Sequence, residues 1–456
     1  MVQSFQAAVA NARQHGNLYF ATLLSQDRIE KAFGKARWLW QGWIYTPAVT
    51  VWVFLSQCLS PDHSCRDAVA RLIAWRVARG LKPCSADTGA YCTARNDLPE
   101  DVLHELVRDT GKQVEEESPP DWLWLERKVR VVDGSTVTMA DTPENQAVYP
   151  QLKAQAPGCG FPIARILVIF SLSVGTVLEA AIGKYKGKQT GENSMLRELY
   201  SSLAEGDVVL ADRYFSGWCD LALLRQRGID VVIRKHQLRP TDFRTGKRLG
   251  KDDHLVSWVR PQRPRWMTAD QYATLPEVLT LREIRIRVAD KGLRTKSLVV
   301  VTTLLNAEKY TREEIASLYR RRWQAELHLR SLKVVLQMDH LRCKTPDRVR
   351  KEFYTHLVGY NLIRGVMAVA AGQSGQSPWE ISFKGTLQTL SQFLPVLLAA
   401  VTTEAWCKAL LAAVAAHVVG NRPDRFEPRR VKRRPKPYKL LQKHRRLYTT
   451  RDEKSS

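Results

Sequence analysis

Negative charge is what this chain has least of for its size: 46 Asp and Glu stand against 70 Lys and Arg, a net charge of +24 over 456 residues. That excess goes beyond what solubility asks and is the footprint of a protein that binds polyanions. Cysteine is scarce, eight in all, and lacks the close CxxC spacing of most zinc sites. Cys58, His63, Cys65, Cys84 and Cys92 gather near the N-terminus, where free intracellular thiols are a better reading than a metal centre. The opening stretch MVQSFQAAVANARQHGN has no apolar core of the kind a signal peptide needs. Uninterrupted apolar runs are missing too. Residues 163–182 are broken by Arg165, Gly175 and Glu179, and residues 393–419 carry Glu404, Lys408 and His417, so neither reads as a membrane span. No lipidation motif and no basic helix with a bare apolar face points to a membrane surface. There is no internal repeat. What is left is an intracellular protein of roughly two to four domains, with material for several cores.

Residues 1–118 carry helical periodicity. YTPAVTVWVFLSQCL and SCRDAVARLIAWRVARG space apolar residues by three and four, and the second adds Arg66, Arg71, Arg76 and Arg79. A small DNA-binding bundle and a plain helical lid would both look like this, and no recognition helix stands out. The acidic, proline-rich VEEESPPDW then reads as a linker. From Lys128 the pattern turns to strands. KVRVVDGSTVTM alternates and reaches Asp133, ARILVIFSLSV and TVLEAAIGKY form a hairpin at Gly175, VVLADRYF ends a strand on Asp212, and IDVVIRK follows a further helix. Three antiparallel strands followed by alternating helices and strands is the order of a ribonuclease-H-like sheet, so the fold class is α/β. In that sheet the first and fourth strands are neighbours, which would bring Asp133 and Asp212 together. Taken singly, each is also an ordinary turn residue.

Residues 236–296 interrupt the order with a strand-rich, basic insertion. Trp258 and Trp266 lie in it and can stack on a displaced base, or can simply be its core. Asp252, Asp253 and His254 read as a solvated turn in preference to a metal site. The sheet is expected to resume over 297–345, completing a catalytic domain with 119–235. Helices follow over 346–420 and can dimerise. Residues 421–456 are too rich in Arg, Lys and Pro to form a core, and read as a tail disordered until it meets nucleic acid.

The chain is organised around TREEIASLYRRRWQAELHLRSLK, residues 311–333. Thr311 and Glu314 form a capping-box signature, and no Pro or Gly interrupts the following turns. At 100° per residue, Tyr319, Arg322, Glu326 and Lys333 share a stripe roughly 60° wide, set between Trp323, Leu327 and Val334 on one side and Leu318, Leu329 and Leu332 on the other. A polar stripe inside an apolar face is the reverse of an ordinary amphipathic helix. It is either an ion pair at a crevice edge, contributing about a few tenths of a kcal/mol, or a carboxylate flanked by groups that hold phosphates.

Asp133, Asp212 and Glu326, with Y-(2)-R-(3)-E-(6)-K at Tyr319, Arg322, Glu326 and Lys333, resemble the DDE transposases of bacterial insertion sequences, and the spacing is that of insertion sequence family four. DGSTVTMADTPENQ, YKGKQTGE, LADRYFSGW and LRCKTPDRVRKE are similar to the same family's blocks, over about residues 120–390. The resemblance implies a ribonuclease-H-like domain with a β-rich insertion, and catalytic, metal-binding roles for Asp133, Asp212 and Glu326. Mg²⁺, or Mn²⁺ in its place, would serve two-metal phosphoryl transfer. It further implies DNA contacts by Tyr319, Arg322, Lys333 and Trp323, with Trp258 as a candidate for base stacking. The partners would be double-stranded DNA, as terminal inverted repeats and target, and a second copy of the chain in a homodimeric synaptic complex. A relative that binds ends without cutting, and a metal-dependent nuclease of the same fold, are the alternative readings.

Overall fold

The structure is a computed structural model and describes residues 1–15, 24–34, 44–287, 297–397 and 402–419. The basic tail expected over 421–456 lies outside the described residues. Six helices come first: α1 (Val2–His15), α2 (Gln26–Phe33), α3 (Pro47–Leu59), α4 (Cys65–Ala78), α5 (Gly89–Asp97) and α6 (Glu100–Glu116). Ser25, Thr46 and Ser64 each accept a hydrogen bond from the backbone N–H three residues on, which satisfies an amide that the first turn leaves unpaired. α3 is apolar nearly all round and is buried accordingly, with Val51 to Leu55 inside.

The stretch expected as a linker begins as the last turn of α6. Its Glu115 is buried, accepting from Arg130 Nη1 and from Ser171 Oγ, each at 2.6 Å. A carboxylate ringed by donors is stable in the interior, and its donors come from strands far along the chain.

Next come β1 (Val129–Met139), α7 (Pro143–Val148), β2 (Ile163–Ser171), β3 (Val177–Lys184), α8 (Glu192–Glu198), β4 (Val208–Ala211), α9 (Trp218–Gln226) and β5 (Asp230–Arg234). Gly175 turns the β2–β3 hairpin at φ +75°, where a residue with a Cβ would be strained. β1, β2 and β3 are antiparallel, while β4 and β5 run parallel to β1. The order β3-β2-β1-β4-β5 is the ribonuclease-H-like sheet expected from the sequence.

The insertion contributes β6 (Lys247–Gly250), β7 (Asp253–Val259), α10 (Ala269–Ala273) and β8 (Val278–Arg287), and β9 (Ser297–Thr302) follows. β9 pairs antiparallel with β5, so these strands extend the same sheet through β9-β8-β7-β6. Asp253 and His254, expected in a solvated turn, are buried in β7. The reason is Arg282 on the neighbouring β8, itself buried, which donates Nε to Asp253 Oδ1 at 2.8 Å.

After β9 come α11 (Arg312–Arg321), α12 (Trp323–Arg330), a π turn (Ser331–Val335), β10 (His340–Leu341), α13 (Pro346–Ser374), α14 (Phe383–Val396) and α15 (Thr403–Ala416). α13 is largely buried and packs on α3, α6, α14 and α15. One core joins these helices to one face of the sheet, and a second lies on the other face with α8 and α9. Among the described residues no helix is long and apolar enough to cross a membrane.

Candidate active site

Strand register brings the first two carboxylates together. β1 and β4 pair in parallel with Val129 opposite Val208 and Val131 opposite Leu210. Two residues further, the same register sets Asp133 level with Asp212, which follows the last residue of β4. β4 ends there, and β10 rejoins β1 only at Thr138. The edge of β1 beside Asp133 and Ser135 therefore has no strand next to it. β5 continues the row: Ala211 lies opposite Ile233, which brings Arg234 level with Asp212.

α12 packs against β1 and carries the third carboxylate, Glu326. Thr311 starts this region as expected, its hydroxyl accepting from Glu314 N at 3.2 Å. The helix is not uniform, however. At Arg322 it tightens, with Arg322 N bonded to Tyr319 O and Ala325 N bonded to Arg322 O, whereas the π turn at Lys333 is loose. A constant 100° step does not carry from Tyr319 to Lys333, yet both cations still reach the strand ends. Arg322 donates to Glu326 Oε1 at 3.1 Å, and Lys333 Nζ donates to Ser135 Oγ at 3.0 Å. Ser135 is two residues past Asp133, on the same face of β1.

The half-buried Asp133 carboxyl is pushed up to about 6, first by desolvation, with Glu326 and Glu192 adding to it; the Arg322 charge and a hydrogen bond from Gly134 N work the other way. Burial pushes the Tyr319 phenol up to about 12, with Asp212 adding and Arg322 opposing. Burial works against the Arg322 charge, but Tyr319, Asp212, Glu326 and Asp133 together hold its pKa above the ordinary value. Arg322 thus stands among all three carboxylates. Among the described residues no three His, Cys, Asp or Glu side chains are gathered closely enough to hold an ion as they stand. The donor set is right in kind for Mg²⁺ or Mn²⁺, because Asp133, Asp212 and Glu326 offer carboxylate oxygen alone. What occupies their midst is a guanidinium.

The remaining sequence candidates separate. Trp323 is open, 51% exposed, with Leu327 and Val334 exposed nearby on the same helical region. Tyr319 is buried behind Arg322. Trp258 is interior: its Nε1 donates to Glu283 Oε1 at 3.2 Å, its carbonyl accepts from Trp218 Nε1 at 2.9 Å, and the Arg239 guanidinium lies 4.0 Å from its ring centroid. That face is closed to a base in this conformation. Cations next to a tryptophan in sequence look the same whether they flank a surface or cap a core. Arg197 likewise covers Trp266, 3.5 Å from its ring centroid.

Two residues that the sequence reading did not single out stand at the same place. Arg234 is half-buried and paired to β9 through its backbone, while its side chain has no hydrogen-bond or ion-pair partner among the described residues. Counting the parallel register onward from Asp212 would have found it. Glu192, which closes the YKGKQTGE block, lies over the glycine after Asp133. A Cβ at Gly134 would sit 2.5 Å from its carboxyl carbon, and Arg165 holds it at 2.8 Å.

The fold class is thus a ribonuclease-H-like α/β sheet, with two aspartates level at adjacent strand ends and a glutamate on the helix packed across them. A family model described as the transposase DDE domain matches residues 124–362, more than half of the chain, and the chain belongs to that family. It is 25% identical over 357 residues to the transposase InsG of insertion sequence element IS4 from Escherichia coli strain K12, covering 76% of each. Over 69 residues it is 35% identical to the transposase of insertion sequence element IS421 from Escherichia coli, 15% of this chain and 19% of that one. The resemblance to DDE transposases of bacterial insertion sequences, family four type, therefore holds. A solved piggyBac transposase synaptic complex with hairpin DNA aligns to 90% of this chain and 86% of its own at 11% identity, with a TM-score of 0.41, too loose to bear on fold or function.

Proposed function

We propose that this chain is the transposase of an insertion sequence, which binds the terminal inverted repeats of its element, cleaves the ends and joins them to target DNA. The observation that carries this reading is the level placement of Asp133 and Asp212 at neighbouring strand ends, with Glu326 and Arg322 on the helix packed against them. Asp133, Asp212 and Glu326 would hold Mg²⁺ or Mn²⁺, which when bound supplies a polarised nucleophile and charge stabilisation at the scissile phosphate. The chain's own residues do the rest. Arg322 and Arg234 offer planar guanidinium groups that grip phosphate oxygens, and Lys333 adds a point charge that Ser135 positions. Trp323 presents an open aromatic face beside them for a base or sugar. Tyr319 supports Arg322 from behind and need not touch DNA itself.

The helical unit before residue 118 engages DNA, and two copies of the chain pair the two ends of the element. The protein works in the bacterial cytoplasm, on the nucleoid.

The test uses the full chain and a linear DNA carrying its gene with natural flanks, with and without Mg²⁺, and maps broken 3′ ends at nucleotide resolution. The expected result is paired, metal-dependent breaks at inverted repeats on both sides of the gene. Protection of the repeats without breaks would replace this reading with an inactive end-binding relative, and scattered breaks would replace it with a general nuclease.

A further inference from the structure

The Arg322 guanidinium occupies an unusual place for a residue assigned to DNA. Its side chain is 16% exposed, it is bonded to Glu326 at 3.1 Å, and the charges of Asp133 and Asp212 both act on it. Those two aspartates are level on strands with no neighbour between their ends, and Glu326 faces them. Carboxylates around one half-buried crevice repel one another even at separations too long to share an ion, as Glu326 does Asp133, and desolvation adds to the cost. A cation is needed there whether or not a metal has arrived.

We propose that Arg322 is the resident counter-ion of the carboxylate site, and that its withdrawal toward a DNA phosphate is what opens the site to a divalent metal. This rests on the reading of the site given above. Two features of the helix suit such a movement. The ladder tightens at Arg322 itself, where α11 gives way to α12, so this residue sits at a joint between two helical segments. The side chain is held by one N–H···O contact to Glu326 at 3.1 Å and by a hydrogen bond with the neutral Tyr319 phenol. A phosphate, by contrast, offers a guanidinium two charge-assisted hydrogen bonds. Arg234, its side chain unpartnered at the next strand end among the described residues, can hold the same phosphate and shares no carboxylate with the metal.

The consequence is linkage. If the guanidinium and the metal compete for one set of carboxylates, DNA that removes the guanidinium raises metal affinity, and the metal raises DNA affinity by the same factor. The element's transposase would then load metal chiefly on DNA, which limits stray cleavage by free protein.

The experiment is a Mn²⁺ titration of the full-length protein without DNA, free Mn²⁺ being read from its electron paramagnetic resonance signal, for wild type, Arg322→Gln, Arg322→Lys and Asp133→Asn. Arg322→Gln should bind Mn²⁺ roughly tenfold tighter than wild type, inside the span usual for coupled ligands, while Arg322→Lys, which keeps the charge, stays nearer wild type. Sheared duplex DNA, its own Mn²⁺ uptake measured separately, should tighten Mn²⁺ binding to wild type but not to Arg322→Gln. Thermal melts confirm that each variant is folded. If Asp133→Asn weakens Mn²⁺ binding but Arg322→Gln titrates like wild type, the counter-ion proposal is overturned and the site reading stands. If Asp133→Asn also titrates like wild type, the site reading itself is overturned.

Discussion

Two clusters in this molecule are built from the same few residue types and differ in how completely their charges are answered. In the insertion, Lys235 Nζ donates to Glu283, to Pro240 O and to Thr241 Oγ1, at 2.6 to 2.7 Å, using all three of its protons. Arg282 donates to Asp253 and to the Tyr310 carbonyl, and Trp258 closes the network through Glu283. At the strand ends, Arg322 has a hydrogen bond to Glu326, Asp133 accepts from its own neighbour Gly134, and the Arg234 side chain has no partner among the described residues. His254 Nε2, 3.6 Å from Glu283, makes no hydrogen bond among the described residues, but the charges of the first cluster are paired and those of the second only in part. Buried charge that is fully paired holds a fold in one arrangement, whereas charge left half-answered at a crevice awaits a ligand.

The largest effect should come from the open cluster. Glu326→Gln removes a metal-binding carboxylate without changing shape, and cleavage should fall roughly a thousandfold or more. End binding should stay within a few-fold and the melting temperature should hold. Cleavage by Glu326→Gln at the wild-type rate, in a mapped-break assay, would remove the catalytic assignment and with it the contrast.

The closed cluster should answer the opposite way. Arg282→Met leaves Asp253 charged and unpaired in the interior, and unfolding in urea should show a loss of about 3–5 kcal/mol. Replacing both partners, as in Asp253→Leu with Arg282→Met, should recover most of it, because an apolar pair of similar size needs no solvation. An equal loss in the double variant would mean that the pair is not acting as a unit.

How far the sequence shows this contrast depends on what partners a residue meets. The sheet order followed from strands and helices in sequence, because the hydrophobic alternation around Val129 to Val132 and the apolar run before Asp212 are local signals. The pairing of Asp133 with Asp212 followed in turn, since register in a parallel pair is arithmetic once the strands are placed. His254 and Glu115 were misread, and Trp258 was left open between core and base stacking, for one shared reason. Their burial depends on Arg239, Glu283 and Arg130, contributed by other strands or by loops, and a polar residue looks solvated until its partners are known. The irregular winding at Arg322 and Lys333 had no local signal either. No proline or glycine marks it, so packing of the helix on β1 is what sets it.

Acid separates the two kinds of burial by sign. His63, where the turn before α4 meets α13, is pushed down to about 4 and His356 to about 3, in each case first by burial, with Arg342 adding to both. Arg71 also opposes protonation of His63, while Asp62 and Gln337 favour it. In the unfolded chain both would take a proton near pH 6.5. Their contribution is therefore complete above about pH 6.5 and is lost as pH falls toward 4 and 3. Protection factors for hydrogen exchange in α3 and α13, corrected for the intrinsic pH dependence of amide exchange, should fall between pH 7.5 and 5. Unchanged protection factors there would show that these rings are not held neutral.

Asp133 should behave in the reverse sense, and by less. Its folded-state value, about 6, lies above that of a free carboxyl, so its contribution is present below about pH 4 and is lost as pH rises through 6. At pH 7.5 without metal the ionised side chain is a liability, desolvated and facing Glu326 and Glu192, and Arg322 offsets only part of this. Asp133→Asn keeps the shape and removes the charge. The metal-free variant should be more stable than wild type by roughly 0.5–2 kcal/mol at pH 7.5, with the difference shrinking below pH 5 and with Mn²⁺ no longer raising the melting temperature. A variant less stable than wild type at pH 7.5 would make Asp133 a satisfied turn residue. The strand ends would then belong with the closed cluster in the insertion, and the distinction between answered and unanswered charge would fail at the position where it matters most.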